Sequence, residues 1–238
     1  MDNAGYVGLT RQSGLMAEMR TIANNLANMA TTGYRREGIA FAEHVAALRD
    51  GPSLSMATAR GRLTDLGQGG VTHTGATFDL AIEGEGFFQV EGPDGPLLTR
   101  AGGFTPDAEG ILRTYDGRAL LDEGGAGVFV PPGVRGVAIG ADGTISADGT
   151  PLGRIGLVLP ADPIDLRRRD GVAFAAPGGT VPAENARLMQ GALEDANVDP
   201  VIEIARMIEV QRAYELGQGL LDREDERIRG VIRTLSKA

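Results

Sequence analysis

Two apolar repeats, one near each end of the chain, constrain its fold more than any other feature. The N-terminal repeat alternates spacings of four and three residues and consists of Leu15, Met19, Ile22, Leu26 and Met29. This is the heptad pattern of a helix that buries one narrow face against a partner. Thr31 and Thr32 are β-branched and Gly33 can take a positive φ angle, so the sequence predicts that this helix ends there.

The C-terminal repeat belongs to a longer predicted helix. Asp199 suits the N-cap and Pro200 suits the first helical position, so we expect the helix to begin there. Its seam alternates spacings of three and four residues and consists of Met207, Val210, Tyr214, Gly217, Leu221, Glu224, Ile228, Val231 and Leu235. A helix of roughly 36 residues would be about 54 Å long.

The two repeats predict one helical domain, made of residues 1–36 and 196–238, whose helices pair as in a coiled coil. The alternative is that each stripe packs on the central domain. Five arginines balance five acidic residues in 1–50, and seven basic residues face eight acidic ones in 198–238, so both ends are nearly neutral. Because burial of the seams stabilises less than ordering the helices costs, we expect full order only against neighbouring subunits.

The middle of the chain has a different texture. Residues 37–76 are rich in glycine and small polar residues and predict an extended connector with short strands. Residues 77–195 alternate short apolar runs with turn signals, which predicts a central antiparallel β domain, a sandwich or a barrel. The predicted strands are 80–82, 87–90, 97–99, 111–115, 119–121, 134–139 and 155–159. The predicted fold class is therefore α+β, with long terminal helices and a central β-rich domain.

No pattern of catalytic or metal-binding residues emerges from the sequence. The chain has no cysteine, and its two histidines, His44 and His73, lie in the predicted connector without an acidic partner. The segment 84–86 lacks the third glycine and the following helix of a dinucleotide loop. Asp142 and Asp148 lack the intervening ligands of a calcium loop. We predict no catalytic residue, no metal and no cofactor.

Charge and hydropathy argue against two classes of partner. The net charge is −9 and most of it lies in residues 51–197, which disfavours binding to nucleic acid or to anionic membranes. No apolar run reaches about 18 residues and the N-terminus lacks a signal-peptide pattern, so we expect no direct membrane insertion. These signals predict a cytoplasmic protein unless export keeps the N-terminus. Arg167–Arg169 and the acidic group at 222–226 are interpreted as solvated surface.

Three segments of the sequence form a distinctive set: IANNLANMATTGYRR at 22–36, the segment from DLAIEGEGFFQV to LLTRAGGFTPDAEGIL within 79–112, and GALEDANVDPVIEIARMIEVQRAYELGQ at 191–218. In this order they resemble the rod and hook proteins of bacterial flagella. The resemblance implies a non-enzymatic subunit of the basal-body rod, proximal in position, with a distal rod subunit as the alternative. It also implies helices in an inner tube that transmits torque, and a β domain in the outer layer.

The resemblance further implies the partners and the route of the chain. Its partners would be other rod proteins, copies of itself and the flagellar type III export apparatus, which delivers proteins without a cleaved signal. The predicted assembly interface combines the seams with positions that match the family pattern: Leu15, Met19, Ile22, Asn24, Asn25, Leu26, Asn28, Gly33, Tyr34, Met207, Val210, Arg212, Tyr214, Glu215, Leu221, Ile228, Val231 and Leu235.

The asparagines within this set carry a specific hypothesis. Asparagine is a mediocre helix former, so Asn24, Asn25 and Asn28 weaken the helix that contains them. We expect their amides to bond across subunits and fix register. The alternative is that Asn28 helps to end the helix while the other two face water.

Two further function classes stay open at this stage. A cell-wall-acting enzyme would need a pair of carboxylates in a cleft at a characteristic separation. A secreted binding module would use the surface of residues 120–190, which matches the family least.

Overall fold

A computed structural model describes residues 3–46, 54–134 and 136–235. The described chain contains two long helices, α1 (Asn3–Ala27) and α2 (Pro200–Leu235), and a 3-10 turn at Pro163–Asp165. The strands, in chain order, are β1 Glu37–Ala46, β2 Leu54–Thr64, β3 Val71–His73, β4 Leu80–Glu83, β5 Phe87–Val90, β6 Leu97–Thr99, β7 Phe104–Pro106, β8 Leu112–Thr114, β9 Val137–Ile139, β10 Thr144–Ala147, β11 Thr150–Arg154, β12 Leu157–Pro160, β13 Arg167–Asp170, β14 Ala173–Ala175, β15 Thr180–Pro182, β16 Arg187–Gln190 and β17 Ala192–Glu194.

The chain divides into two compact units. The helical unit comprises 1–27, 37–65 and 199–238, and the β unit comprises 28–36 and 66–198. The α+β class is therefore confirmed, with a helix near each end and a β-rich centre. The domain boundaries drawn from the sequence remain a prediction.

In the helical unit, α2 begins as its sequence predicts. Asp199 Oδ1 accepts hydrogen bonds from the N–H groups of Val201 (2.8 Å) and Ile202 (3.2 Å). Pro200 occupies the first helical position, where its missing N–H costs no hydrogen bond. The N-cap and the proline together fix the start of the helix.

Helices α1 and α2 run antiparallel within the helical unit. Asn25 contacts Glu203, Gln12 Nε2 donates to the Tyr214 carbonyl at 2.9 Å, and Gly8 faces the Leu221 side chain. Residue numbers fall along α1 as they rise along α2, which defines the direction of the pair.

Residues 37–46 and 54–64 form long strands, whereas the sequence suggested an extended connector with short strands. Strands β1 and β2, of 10 and 11 residues, pair antiparallel from Glu37 opposite Thr64 to Ala46 opposite Leu54. The register shifts between Ala40 and Phe41. Local pattern did not reveal this hairpin because glycine, alanine and charged residues interrupt the alternation that marks a strand.

The β unit is built on antiparallel pairs, as predicted. Its largest sheet has six strands in the order β13-β14-β6-β5-β12-β15. Strands β5 and β6 have the bounds that the sequence predicted, whereas residues 119–121 take part in isolated bridges. The main core is formed by buried apolar side chains from several sheets: Leu80, Ile82, Phe88, Val90, Leu97, Phe104, Leu112, Leu120, Val128, Val130, Ile139, Ile145, Ile155, Ala173 and Leu188.

Among the described residues, neither α1 nor α2 combines the length and apolar character that crossing a membrane requires.

Candidate assembly surface

The predicted seam residues from Leu15 to Leu26 and from Met207 to Leu221 lie on the less exposed faces of α1 and α2. Ile22 and Val210 are buried, at 4% and 3% exposure. The half-buried seam residues with large apolar or aromatic side chains are Leu15, Met19, Leu26, Met207, Tyr214 and Leu221. Gly217 fits the same face because a side chain there would overlap the Gln12 amide. Within the helical unit these residues therefore lie in or beside the contact between α1 and α2.

An ion pair also links the two helices. Glu18 Oε1 accepts hydrogen bonds from Arg206 Nη2 at 2.7 Å and from Arg206 Nε at 2.8 Å. The bond to Glu18 raises the pKa of Arg206 above its ordinary value. Glu18 is largely buried, whereas half of the Arg206 side chain is exposed, so this pair adds orientation more than stability.

Asn25 explains part of the asparagine cluster in a way that the sequence did not predict. Its side chain is fully buried, Nδ2 donates to the Glu37 carbonyl (2.8 Å) and to Glu203 Oε2 (3.0 Å), and Oδ1 accepts from the Glu37 N–H (3.0 Å). These partners belong to the same chain, whereas the hypothesis placed them across subunits. The amide thus connects α1, the start of β1 and the first turn of α2. Asn24 is exposed and Asn28 is half-buried.

The C-terminal part of the predicted interface is exposed. Ile228, Val231 and Leu235 have exposed fractions of 38%, 46% and 73%, and Arg212 and Glu215 are exposed as well. Further large apolar side chains of α2, absent from the predicted set, are also exposed: Val201, Ile202, Ile204, Ile208, Leu216, Leu220 and Ile232. Counting apolar residues off the seam would have identified them.

Gly33 and Tyr34 lie in the β unit. Gly33 has a φ of +68°, and a side chain there would overlap the backbone of Arg100 and Ala101. Its N–H donates to the Glu194 carbonyl at 2.7 Å. Tyr34 is 1% exposed. Both residues therefore have packing roles within the chain.

Next to Tyr34 lies a buried charge cluster that the sequence analysis missed. Glu194 Oε1 accepts from Arg35 Nη2 at 2.5 Å and from the Gly69 N–H at 2.8 Å, and Glu194 Oε2 accepts from Arg100 Nη1 at 3.0 Å. Arg35 and Glu194 are fully buried and Arg100 is 3% exposed. Burial lowers the pKa of Arg100, and the Glu194 carboxylate opposes that change. The signal in the sequence was an arginine inside each family-like segment, TGYRR and LLTRAGG, but nothing local pairs them.

Arg168 is a further correction, because it was assigned to a solvated loop. Its guanidinium lies 4.5 Å from the centre of the Tyr34 ring and 4.6 Å from that of Phe174. Its Nη2 donates to the Arg35 carbonyl at 2.5 Å. The attraction of the guanidinium to both ring faces, together with this hydrogen bond, connects Tyr34 and Arg35 to β13 and β14 within the β unit.

One cavity of the β unit has carboxylates, which a cell-wall-acting enzyme would need. It has a volume of about 470 Å³ and is lined in part by Glu123, Asp142 and Glu184. Hydrogen bonds from the Thr144 hydroxyl (2.8 Å) and N–H (3.1 Å) lower the pKa of Asp142. A glycosidase acid requires the opposite shift. Glu123 forms a 3.1 Å ion pair with Arg154, so this cavity gives the enzyme hypothesis no support.

Within 3–46, 54–134 and 136–235, no three acidic, histidine or cysteine side chains come together as a metal ion would require. The described residues form packed contacts in both units, and α2 has exposed apolar side chains.

Comparison with known proteins indicates the family of this chain. Three family descriptions match: "Flagella basal body rod protein" at residues 6–35, "Flagellar hook protein FlgE/F/G D1 domain" at 81–147, and "Flagellar basal body rod FlgEFG protein C-terminal" at 189–234. A flagellar basal-body rod protein FlgF from Caulobacter vibrioides is 39% identical over 100% of this chain and 99% of its own length.

Other relatives carry two different names. A FlgF from Mesorhizobium japonicum is 33% identical over 99% of this chain and 98% of its own length. A FlgG from Bacillus subtilis is 30% identical, with 95% and 97% covered. The chain therefore belongs to the family of flagellar basal-body rod proteins. It is a structural subunit of the basal-body rod.

Proposed function

We propose that this chain builds the proximal part of the rod by adding, through α1 and α2, to copies of itself and to other rod and hook proteins. The supporting observation is the exposed apolar surface of α2, with Val201 at 75%, Leu216 at 73% and Leu235 at 73% exposure. Exposed apolar patches on a soluble protein mark surfaces that bind other proteins. Both chain ends are also nearly neutral, so copies meet there without strong repulsion.

In this proposal the predicted interface residues divide into two groups. The buried and half-buried seam residues, such as Ile22 and Val210, would hold α1 against α2 in a coiled-coil-like pair. The exposed residues, such as Ile228, Val231 and Leu235, would contact neighbouring subunits. The 3-4 spacing and the antiparallel register of the helices favour this pairing. Tightly packed helices of this kind would make a stiff tube, because close-packed side chains leave little freedom to slide.

The proximal position is supported by the relatives named FlgF, and a distal, FlgG-like role is the alternative. Relatives of both names align over most of this chain. The chain can be expressed in one strain lacking its own FlgF and in another lacking its own FlgG. Restored swimming in the first strain alone would support the proximal role, and restoration in the second alone would replace it with the distal one.

Delivery is proposed to use the flagellar type III export apparatus without cleavage of the N-terminus. The resemblance of the N-terminal segment to exported rod proteins supports this route. The intact mass of the chain in purified basal bodies measures it directly. A mass that lacks residues at the N-terminus would contradict the proposal.

Rod incorporation tests the structural role. In a strain without its own copy, the double variant Leu216→Glu with Leu220→Glu replaces side chains that are 73% and 63% exposed. We expect a folded monomer whose amount in purified basal bodies, measured by mass spectrometry, falls at least about tenfold. The control Gln218→Glu with Arg223→Glu adds charge at exposed positions of the same helix and should incorporate normally. Equal incorporation of both double variants would contradict the use of this surface.

A further inference from the structure

Two apolar stripes with the same spacing lie near the two ends of α2. The N stripe consists of Val201, Ile204, Ala205 and Ile208, and the C stripe consists of Ile228, Val231, Ile232 and Leu235. Each follows the pattern i, i+3, i+4, i+7, which places four side chains on one face over two helical turns. All eight residues are exposed.

The C stripe continues the seam that α1 covers. The contacts Asn25–Glu203, Gln12–Tyr214 and Gly8–Leu221 set a register in which Asn3, the first residue of α1, is level with about residue 226. Helix α2 extends to Leu235. Its seam therefore runs beyond the start of α1, and the C stripe is the uncovered part of an interface that exists within the chain.

The N stripe lies on the opposite face of α2. At 100° per residue, its centre is about half a turn from the seam that contains Val210 and the C stripe. Val201, Ile204 and Ile208 have exposed fractions of 75%, 51% and 45%. Helix α1, which packs on the seam, therefore leaves this face open.

One copy of the chain cannot bring its own stripes together. They are separated by 27 positions along one continuous helix, which corresponds to about 40 Å. Neither stripe can therefore cover the other within one copy, whereas the complementary stripe of a second copy can. Residues 224–235 contain three acidic residues and three arginines, and 199–212 contain three acidic residues and two arginines, so the two regions can approach without strong repulsion.

We propose that the C stripe of one copy packs on the N stripe of the next copy. The proposal rests on the self-assembly stated above and specifies its contact. The two surfaces differ, so the contact is heterologous and generates an open polymer if the rotation does not close. With Val201 beside Ile228 and the helices parallel, neighbouring copies are displaced by about 40 Å along α2.

Disulfide trapping tests this contact, since the chain has no cysteine of its own. The double variant Ile204→Cys with Val231→Cys is expressed in a strain lacking its own copy, and purified basal bodies are oxidised. We expect dimers and higher multimers on a non-reducing gel, and monomers after reduction. Each single variant should stay monomeric. The control pair Glu209→Cys with Glu226→Cys, also on exposed positions of α2, should give at least about tenfold less cross-linking.

Co-expression of the two single variants defines the direction of the contact. One Ile204→Cys copy and one Val231→Cys copy should form a dimer and nothing larger. Dimers from Ile204→Cys alone or from Val231→Cys alone would show like-with-like packing and overturn the proposal. Basal bodies that contain the double variant without cross-links would overturn the stripe contact and leave the rod function standing. Absence of the unmodified chain from basal bodies would overturn both.

A charge swap gives a second readout that does not depend on oxidation. Ile204→Asp should lower incorporation at least about tenfold while the purified monomer keeps its helical circular dichroism. Adding Val231→Lys to the same chain should restore incorporation at least about threefold, because each junction then pairs Lys with Asp. Failure of the second substitution to restore any incorporation would contradict direct contact between the stripes.

Discussion

The β unit and α2 treat their apolar side chains in opposite ways. Leu80, Ile82 and Phe88 in the β unit have no exposed surface, whereas Val201 and Leu235 of α2 are 75% and 73% exposed. Burial of apolar surface is the main driving force for folding. The β unit thus completes its core within one chain, while α2 keeps apolar surface available for another. One part of the chain buries its large apolar side chains by itself, and another part leaves many of them exposed.

Removing a large side chain from the core of the β unit should cause the greatest loss of stability. Phe88→Ala deletes a fully buried ring that packs against Phe104 with centroids 5.3 Å apart, and should lower the free energy of unfolding by about 4 kcal/mol. Phe129→Ala, at 48% exposure, is the matched control and should cost far less. Urea unfolding followed by circular dichroism measures both, and equal losses would contradict a core centred on Phe88.

The charge cluster of the β unit should come next in size. Glu194→Ala leaves Arg35 and Arg100 buried without their carboxylate, and we expect a loss of about 3 kcal/mol in unfolding free energy. Glu184→Ala removes an exposed glutamate of the same unit as the control. A loss no larger than the control's would mean that the Glu194 carboxylate does not stabilise the two buried arginines.

A smaller effect is expected in the helical unit. Asn25→Ala removes the partner of the Glu37 N–H and carbonyl and should cost about 2 kcal/mol, because buried backbone groups lose their hydrogen bonds. Asn24→Ala, at an exposed position, should cost several times less. Hydrogen exchange of the α1 amides would show the loss locally. An equal or larger loss in Asn24→Ala would contradict a specific stabilising role for the Asn25 amide.

The smallest change is expected in how the free energy of unfolding depends on pH in the acid range. Hydrogen bonding to Arg113 lowers the pKa of Asp107, and hydrogen bonding to Thr144 lowers that of Asp142. Carboxylates with lowered pKa stabilise the folded state above their unfolded pKa of about 4, and this contribution is lost as the pH falls through the folded pKa.

Unfolding midpoints between pH 6 and pH 3, measured as a series, test this. The double variant Asp107→Asn with Asp142→Asn should be less stable at pH 6 and should lose less stability on acidification than the unmodified chain. Asp94→Asn, at an exposed turn, serves as the control and should follow the unmodified chain. An unchanged acid slope in the double variant would assign the acid sensitivity to other groups.

Structural features that are set by residues close together in the chain could be predicted from the sequence. The N-cap at Asp199, the start of α2 and the bounds of β5 and β6 all follow from short-range signals, and the structure shows each of them. Heptad spacing also identified the face of α2 that contains Val210. These features depend on backbone preference and periodicity, which a single sequence displays.

Contacts between residues far apart in the chain could not be predicted from the sequence. Arg35 and Glu194 are 159 positions apart, and no local pattern links them. The hairpin of β1 and β2 was missed because its alternation is weak and its strands stabilise each other. The seam also could not show which of its residues α1 covers, since the heptad pattern is the same at Val210 and at Val231.

The ion pair between Arg35 and Glu194 constrains when the β unit can complete its folding. Synthesis presents the chain from its N-terminus, so Arg35 emerges long before its carboxylate, and the β unit cannot close around this arginine until almost the whole sequence has appeared. Contacts of such separation form late and slowly. The segment that contains Arg35 therefore lacks its final partner until Glu194 has been synthesised, and this part of the β unit forms its native contacts only after nearly all of its strands are present.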